Sequence, residues 1–267
     1  MLRDITIGKY YSAESPIHRM DPRTKILWLI FYMVILFAIK SNPLQYAVFL
    51  TATVIIGLLT RVPFGFILRG LKPVMVLVIF TVSLNVLFTP GESVLWQWSF
   101  ITITTEGLHL AFFMALRLVL LIVGSTMLTL TTSPLVMTDG LESLLRPLKR
   151  IGVPAHELSM MMSIALRFIP TLLEETDRII KAQTARGSAF EGGKLSEKVH
   201  ALIPLLVPLF VSAFRRADDL AMAMEARCYH GGEGRTSMHS LKFTRVDAAA
   251  AVCAAAFAGI IVLAGVL

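Results

Sequence analysis

The chain has 267 residues, 55% of them hydrophobic and only 16% charged, where a soluble domain carries about 25% charged residues. Its mean hydropathy is +0.72, and the apolar residues fall into long blocks with short polar connections, the pattern of a chain whose solvent is a bilayer. A disordered or fibrous protein is excluded, and the net charge of +7 reads as topology, basic residues marking the cytoplasmic side, rather than as a nucleic-acid surface. The fold class expected is an all-α integral membrane protein.

Residues 1–10 lack the apolar core of a signal peptide, so the N-terminus is expected to be retained and cytoplasmic. A first apolar block runs from Ile26 to Ile39 behind Asp21-Pro22-Arg23-Thr24-Lys25, and a second from Leu44 to Leu59 after a turn at Ser41-Asn42-Pro43. Both lie near the lower limit of about 17 residues for a span, and the short turn suggests a helical hairpin. Arg61, Arg69 and Lys72 bracket 63–70, a third block follows from Leu71 to Phe88, and a fourth from Leu108 to Thr132 contains one charge, Arg117. An ionisable residue inside a span is either a functional group or a structural tie, and the sequence leaves both open.

Between the third and fourth blocks, residues 89–107 carry no Lys or Arg, but hold Glu92, Glu106, Trp96 and Trp98. That composition suits an outer loop with interfacial aromatics. The last block, from Val246, is rich in Ala and Gly, as close helix packing in a membrane requires. Alternation of basic and non-basic connections gives about five spans with the N-terminus inside. The expected organisation is 1–132 N-terminal transmembrane helices, 133–245 a cytoplasmic segment and 246–267 a C-terminal transmembrane helix. Residues 201–211 look like part of a sixth span, but the stretch is short, contains Pro204 and Pro208, and would place a basic flank outside. It reads as interfacial.

The cytoplasmic segment holds two long amphipathic helices. From Pro154, apolar residues recur at Leu158, Met161, Met162, Ala165, Phe168, Ile169, Leu172, Ile179 and Ile180, a helical period with one apolar face. Pro170 should bend this helix, and Gly187 is placed to end it in a left-handed cap. The second should begin at Ser196–Glu197 after Glu191-Gly-Gly193 and stop before Gly231, with Leu206, Leu209, Phe210, Ala213, Ala217, Leu220, Ala221 and Met224 on its apolar face. The two end alike, in Ala185-Arg186-Gly187 and Ala226-Arg227-Cys228. Each arginine is either a C-terminal cap favoured by the helix dipole or a rigid prong able to pair with carboxylates on a partner.

Enzyme motifs are wanting. Residues 187–194 fail as a phosphate loop, with Ser188 where the first glycine is needed and Leu195 where a Ser or Thr must follow, and His156-Glu157 has Met160 where a zinc helix needs its second histidine. Cys228 and Cys253 form no CxxC pair and read as two free thiols. No metal site is expected.

The run Tyr10-Tyr-Ser-Ala-Glu-Ser-Pro-Ile-His-Arg-Met-Asp-Pro-Arg-Thr-Lys25, with the doubled Ala-Arg ending, resembles the transmembrane T component of energy-coupling factor (ECF) transporters, the EcfT family, related to the cobalt permease Q subunit. The resemblance covers essentially the whole chain. It implies a multi-pass prokaryotic plasma-membrane scaffold joining two cytoplasmic ABC-type ATPases to a small membrane substrate-binding S component, for uptake of a vitamin or other micronutrient. It further implies that the two long helices cross as coupling helices and that Arg186 and Arg227, within Ala185–Gly187 and Ala226–Cys228, dock into the ATPases. Contact with the S component falls on Pro204, Leu205, Leu206, Pro208, Leu209, Phe210, Met161 and Met162. This chain would bind no cofactor and catalyse nothing, ATP and Mg sitting on the partner ATPases. Membrane lipid is its other partner, and no nucleic acid is. Two alternatives remain: a dedicated cobalt or nickel permease subunit, and a self-sufficient membrane carrier or enzyme. The second motif departs from the family pattern, since Cys228 lacks glycine's conformational freedom.

Overall fold

The structure is a computed structural model describing residues 10–39, 42–91, 93–98, 101–187, 195–231 and 241–266, with the side chains of 94–102 and 195–201 outside the description. The phosphate-loop-like stretch after Gly187, the Glu191–Gly193 turn, Glu92, and the side chains of Trp96, Trp98, Ser196 and Glu197 therefore lie outside the described residues.

Helix α1 (Pro22–Ala38) starts where Asp21 accepts a hydrogen bond from Arg23 N–H and Pro22 supplies a preset first helical residue. Helix α2 (Pro43–Thr60) repeats the device with Asn42 and Pro43, and ends on Arg61 in the left-handed conformation, φ 55°. Helix α3 (Phe64–Leu71) runs through a single tight turn at Lys72–Val74 into α4 (Met75–Phe88). Here the structure departs from the expected block starting at Leu71. Pro73 has no N–H to continue the α ladder, so the chain tightens for one turn without leaving the helical path. Arg69 and Lys72 thus lie within a helix of 25 residues, Phe64–Phe88, and Arg61 precedes it.

Strands β1 (Val94–Trp98) and β2 (Ile101–Thr104) pair antiparallel where an irregular outer loop was expected. Ile101-Thr-Ile-Thr104 alternates β-branched residues, which suits a strand. Thr104 then caps α5 (Thr105–Thr131) through Gly107 N–H. Helix α6 (Pro134–Leu145) leads to α7 (Ala155–Ala185) and α8 (Leu195–Glu225), and α9 (Arg245–Val266) follows. Among the described residues four helices are long and apolar enough to cross a membrane: Pro43–Thr60, Phe64–Phe88, Thr105–Thr131 and Arg245–Gly265. At 17 residues, about 26 Å, α1 is a fifth apolar helix at the short limit of a span.

The chain divides into two compact units, residues 8–140 with 241–267, and residues 141–240. In the first, α1, α2, α3 and α4 all pack on α5, and α9 closes against α2 and α1. Its core is Tyr32, Leu36, Tyr46, Phe49, Phe113 and Leu120. The ring of Tyr32 lies so close to α5 that a Cβ at Gly124 would sit 2.5 Å from it, and its hydroxyl donates to Leu120 O at 2.9 Å. In the second unit α7 and α8, 31 residues each, pack on one another.

Candidate functional site

The two helices of the second unit end in the same geometry. At the end of α7, Arg186 N–H bonds Gln183 O (3.1 Å) and Gly187 N–H bonds Thr184 O (3.0 Å); at the end of α8, Arg227 N–H bonds Met224 O (3.1 Å) and Cys228 N–H bonds Glu225 O (2.8 Å). Gly187 has φ +91° and Cys228 φ 56°. The left-handed cap expected at Gly187 is therefore present, and Cys228 adopts it too despite its Cβ. Both arginine residues are exposed, each carried on a helix end fixed by its own backbone. A guanidinium at a helix C-terminus is electrostatically favoured and keeps its five donors available.

Helix α8 contains both prolines of the expected interfacial stretch. Pro208 has no N–H to donate to the carbonyl four residues back, and that orphaned oxygen, Pro204 O, accepts from Gln183 Nε2 on α7 at 3.4 Å. Around it Leu202, Ile203, Leu206, Val207, Phe210 and Phe214 are exposed, whereas Leu205 is buried. Such a stripe in contact with water would be unfavourable, so it marks a surface for lipid or for another protein. Met161 and Met162 are also exposed, but they lie on α7 about 30 Å before Gln183 at 1.5 Å per residue. The residues expected to touch one partner thus form two separate places along the helices.

A family model for CbiQ, the cobalt transport protein, matches residues 13–238. The chain is 56% identical over 93% of its length to the energy-coupling factor transporter transmembrane protein EcfT of Acidaminococcus fermentans, covering 92% of that protein. It is 54% identical to the EcfT protein of Clostridium kluyveri (95% of this chain, 94% of that one) and 50% identical to that of Bacillus subtilis (92% and 93%). The chain belongs to the CbiQ/EcfT family.

The N-terminal run that carries the EcfT resemblance is, in this structure, a clamp. Tyr11 N–H donates to Leu130 O (2.9 Å) at the end of α5. His18 bonds Ser15 Oγ through Nδ1 (2.7 Å) and Tyr11 O through Nε2 (3.0 Å). Lys25 Nζ donates to His18 O (3.2 Å) and Thr131 O (3.0 Å), placing a cation on the negative end of α5. Asp21 N–H donates to Asp247 Oδ1 (2.9 Å), and Asp247 Oδ2 accepts from both N–H and Oγ1 of Thr244 (2.7 Å each). Asp247 was not among the residues singled out from sequence, and its signal was present: Thr-x-x-Asp at the start of an apolar run is a capping box.

Arg117 resolves as a tie. Its Nε donates to Tyr46 Oη (3.0 Å) and an Nη to Ile39 O (2.8 Å), the C-cap carbonyl of α1. The charge is used to join α5 to α1 and α2. His156 Nδ1 pairs with Glu142 Oε1 at 2.9 Å. Among the described residues no three of His, Cys, Asp and Glu gather as a metal-binding set.

Proposed function

We propose that this EcfT-family chain is the coupling subunit of an ECF-type importer in the prokaryotic plasma membrane, with its N-terminus cytoplasmic. In this reading Arg186 and Arg227 each engage one of two cytoplasmic ABC-type ATPases, and the exposed apolar stripe of α8 around Pro204–Phe210 carries a small substrate-binding S component. Hydrolysis of ATP, with its Mg, belongs to the ATPases, and this chain transmits motion without binding a cofactor.

The observation that carries the reading is the pair of identically built helix ends. Two exposed arginines, each on a helix end closed by two equivalent turn hydrogen bonds and a left-handed residue, Gly187 or Cys228, suit two equivalent sockets on a dimeric partner. A bidentate guanidinium–carboxylate pair in such a socket gives directional attachment, so that closing the partner moves the helix end with it. A contact set that differs between open and closed partner is what lets ATP binding shift the equilibrium of this chain.

The test is the double variant Arg186→Ala/Arg227→Ala in the assembled transporter. Loss of ATPase co-purification and of uptake, with membrane insertion unchanged, is the expected result. Normal uptake by that variant overturns the proposal.

A further inference from the structure

Helices α7 and α8 are joined by an ion pair: Arg216 Nη2 lies 3.0 Å from Glu175 Oε2. Ser212, one turn before Arg216, accepts from its Nε at 3.4 Å. Hydrogen bonding from Ser212, then from Arg216, together with the charges of Arg216 and Arg178, holds the Glu175 carboxyl below its ordinary range. The pair lines a cavity of about 390 Å³ with Thr171, Glu174, Arg178 and Ile179.

Its position along the helices carries the inference. Glu175 stands 11 residues before Arg186, and Arg216 stands 11 residues before Arg227 (186 − 175 and 227 − 216). Eleven residues are about three turns and about 16 Å, so each pair residue sits on nearly the same helix face as the terminal arginine of its own helix and at the same distance from it. The correspondence extends further at the same spacing of 41: Thr171 with Ser212, Asp177 with Asp218, Ala185 with Ala226. The same spacing sets opposite charges at Glu174 and Arg215, Glu175 and Arg216, and Arg178 and Asp219, and of these it is Glu175 and Arg216 that meet, at 3.0 Å.

The direction of the arms follows from the second cross-helix bond. Gln183, eight residues beyond Glu175 on α7, reaches Pro204, twelve residues before Arg216 on α8. The C-terminal arm of α7 therefore runs beside the N-terminal half of α8, and the two arginine tips leave the Glu175–Arg216 contact in opposite senses.

We propose that Glu175 and Arg216, with Ser212, are the pivot of an equal-armed lever, positioning residues that fix the crossing midway between the two arginine tips. The inference rests on the coupling function proposed above. Equal arms give two equivalent partner subunits the same displacement, the ion pair holding the contact point while the longer Gln183–Pro204 bond, at 3.4 Å, is the one that rotation about it must release.

The experiment measures the distance between spin labels on Lys181→Cys and Met222→Cys, equivalent exposed positions on the two arms, in the full chain reconstituted in nanodiscs with Cys228→Ser and Cys253→Ala. Glu175→Arg should shift and broaden the distance distribution, and Glu175→Arg/Arg216→Glu should return it to the original, with uptake by the assembled transporter, measured separately in chains that keep Cys228, Cys253, Lys181 and Met222, lost in the first and regained in the second. A distribution unmoved by Glu175→Arg, or one that the charge swap leaves broadened while the protein remains helical and monodisperse, overturns the pivot. A distribution that moves and recovers while uptake stays constant throughout supports the pivot and overturns the coupling function on which it was built.

Discussion

The backbone N–H of Asp21 and the carboxylate of Asp247 meet at 2.9 Å across 226 residues of chain. Asp21 is the N-cap residue of α1, and Asp247 sits in the first turn of α9. One carboxylate therefore serves the positive ends of two helices, accepting from Asp21 on α1 and from Thr244 on α9. Both aspartates are buried, so the unmade bonds cannot be replaced freely by water.

Asp247→Ala removes acceptors for three donors and should destabilise the membrane-embedded unit by about 2–4 kcal/mol, from the usual loss of a cap plus buried unsatisfied donors. Asp247→Asn keeps one acceptor oxygen and should lose less. Thermal unfolding in detergent, monitored by tryptophan emission, distinguishes them, and equal midpoints for Asp247→Ala and the unaltered chain would show the link to be dispensable.

Arg117 makes a second inter-helix tie, and its substitution separates structure from transport. Arg117→Met leaves Ile39 O without its donor, a loss of about 1–3 kcal/mol for a buried acceptor, and α1 should loosen from α5. Tyr46→Phe removes only the hydroxyl and should fall below that range. Limited proteolysis between α1 and α2 reports the loosening. Uptake lost from Arg117→Met at full stability would instead give the charge a direct part in transport.

The sequence was readable where one-dimensional patterns decide structure. Apolar blocks located the spans and Gly187 located a left-handed cap, whereas α1 starts at Pro22 behind Asp21, ahead of the expected block at Ile26, and α2 at Pro43 behind Asn42. Arg69 and Lys72 misled, because basic residues that read as a connection sit inside a helix that starts at Phe64 and passes Pro73 by one tightened turn. Asp21 with Asp247, Arg117 with Ile39, and Glu175 with Arg216 were not readable as pairs. Each joins residues far apart in sequence, and spacing on one helix carries no information about what faces it from another. The doubled Ala-Arg ending was visible as a motif, but the equal distance of 11 residues from the ion pair became meaningful only once the Glu175–Arg216 contact was known.

His18 gives the N-terminal clamp a dependence on pH. Burial lowers its pKa from the ordinary 6.5, against the opposing effect of its bond to Tyr11 O, with the Lys25 charge lowering it further. The unfolded chain therefore binds more protons than the folded one between the lowered value and 6.5, so stability rises with pH through that window and falls as the solution is acidified below 6.5. The melting midpoint should drop between pH 7.5 and pH 5.5, and His18→Gln, which cannot titrate, should flatten that part of the profile. An unchanged profile in His18→Gln would assign the dependence to other groups.

Cys228 occupies a backbone conformation, φ 56°, that its counterpart on α7 fills with Gly187. A residue with a Cβ held there is strained by about 1–2 kcal/mol, while glycine surrenders about 0.5–1 kcal/mol more chain entropy on folding. The strain term is the larger, so Cys228→Gly should raise stability by up to about 1 kcal/mol, and Cys228→Val, β-branched at positive φ, should lower it. Because the turn hydrogen bonds at Arg227 and Cys228 are made by backbone atoms, Cys228→Gly should also leave Arg227 at its present place and ATPase association unchanged. Chemical denaturation of the three chains in parallel reads the order Gly, Cys, Val. A glycine variant less stable than the cysteine parent would mean that the thiol makes a stabilising contact outweighing the backbone strain, and the same variant failing to bind the ATPase would mean that the side chain at 228, and not only the arginine before it, belongs to the docking surface.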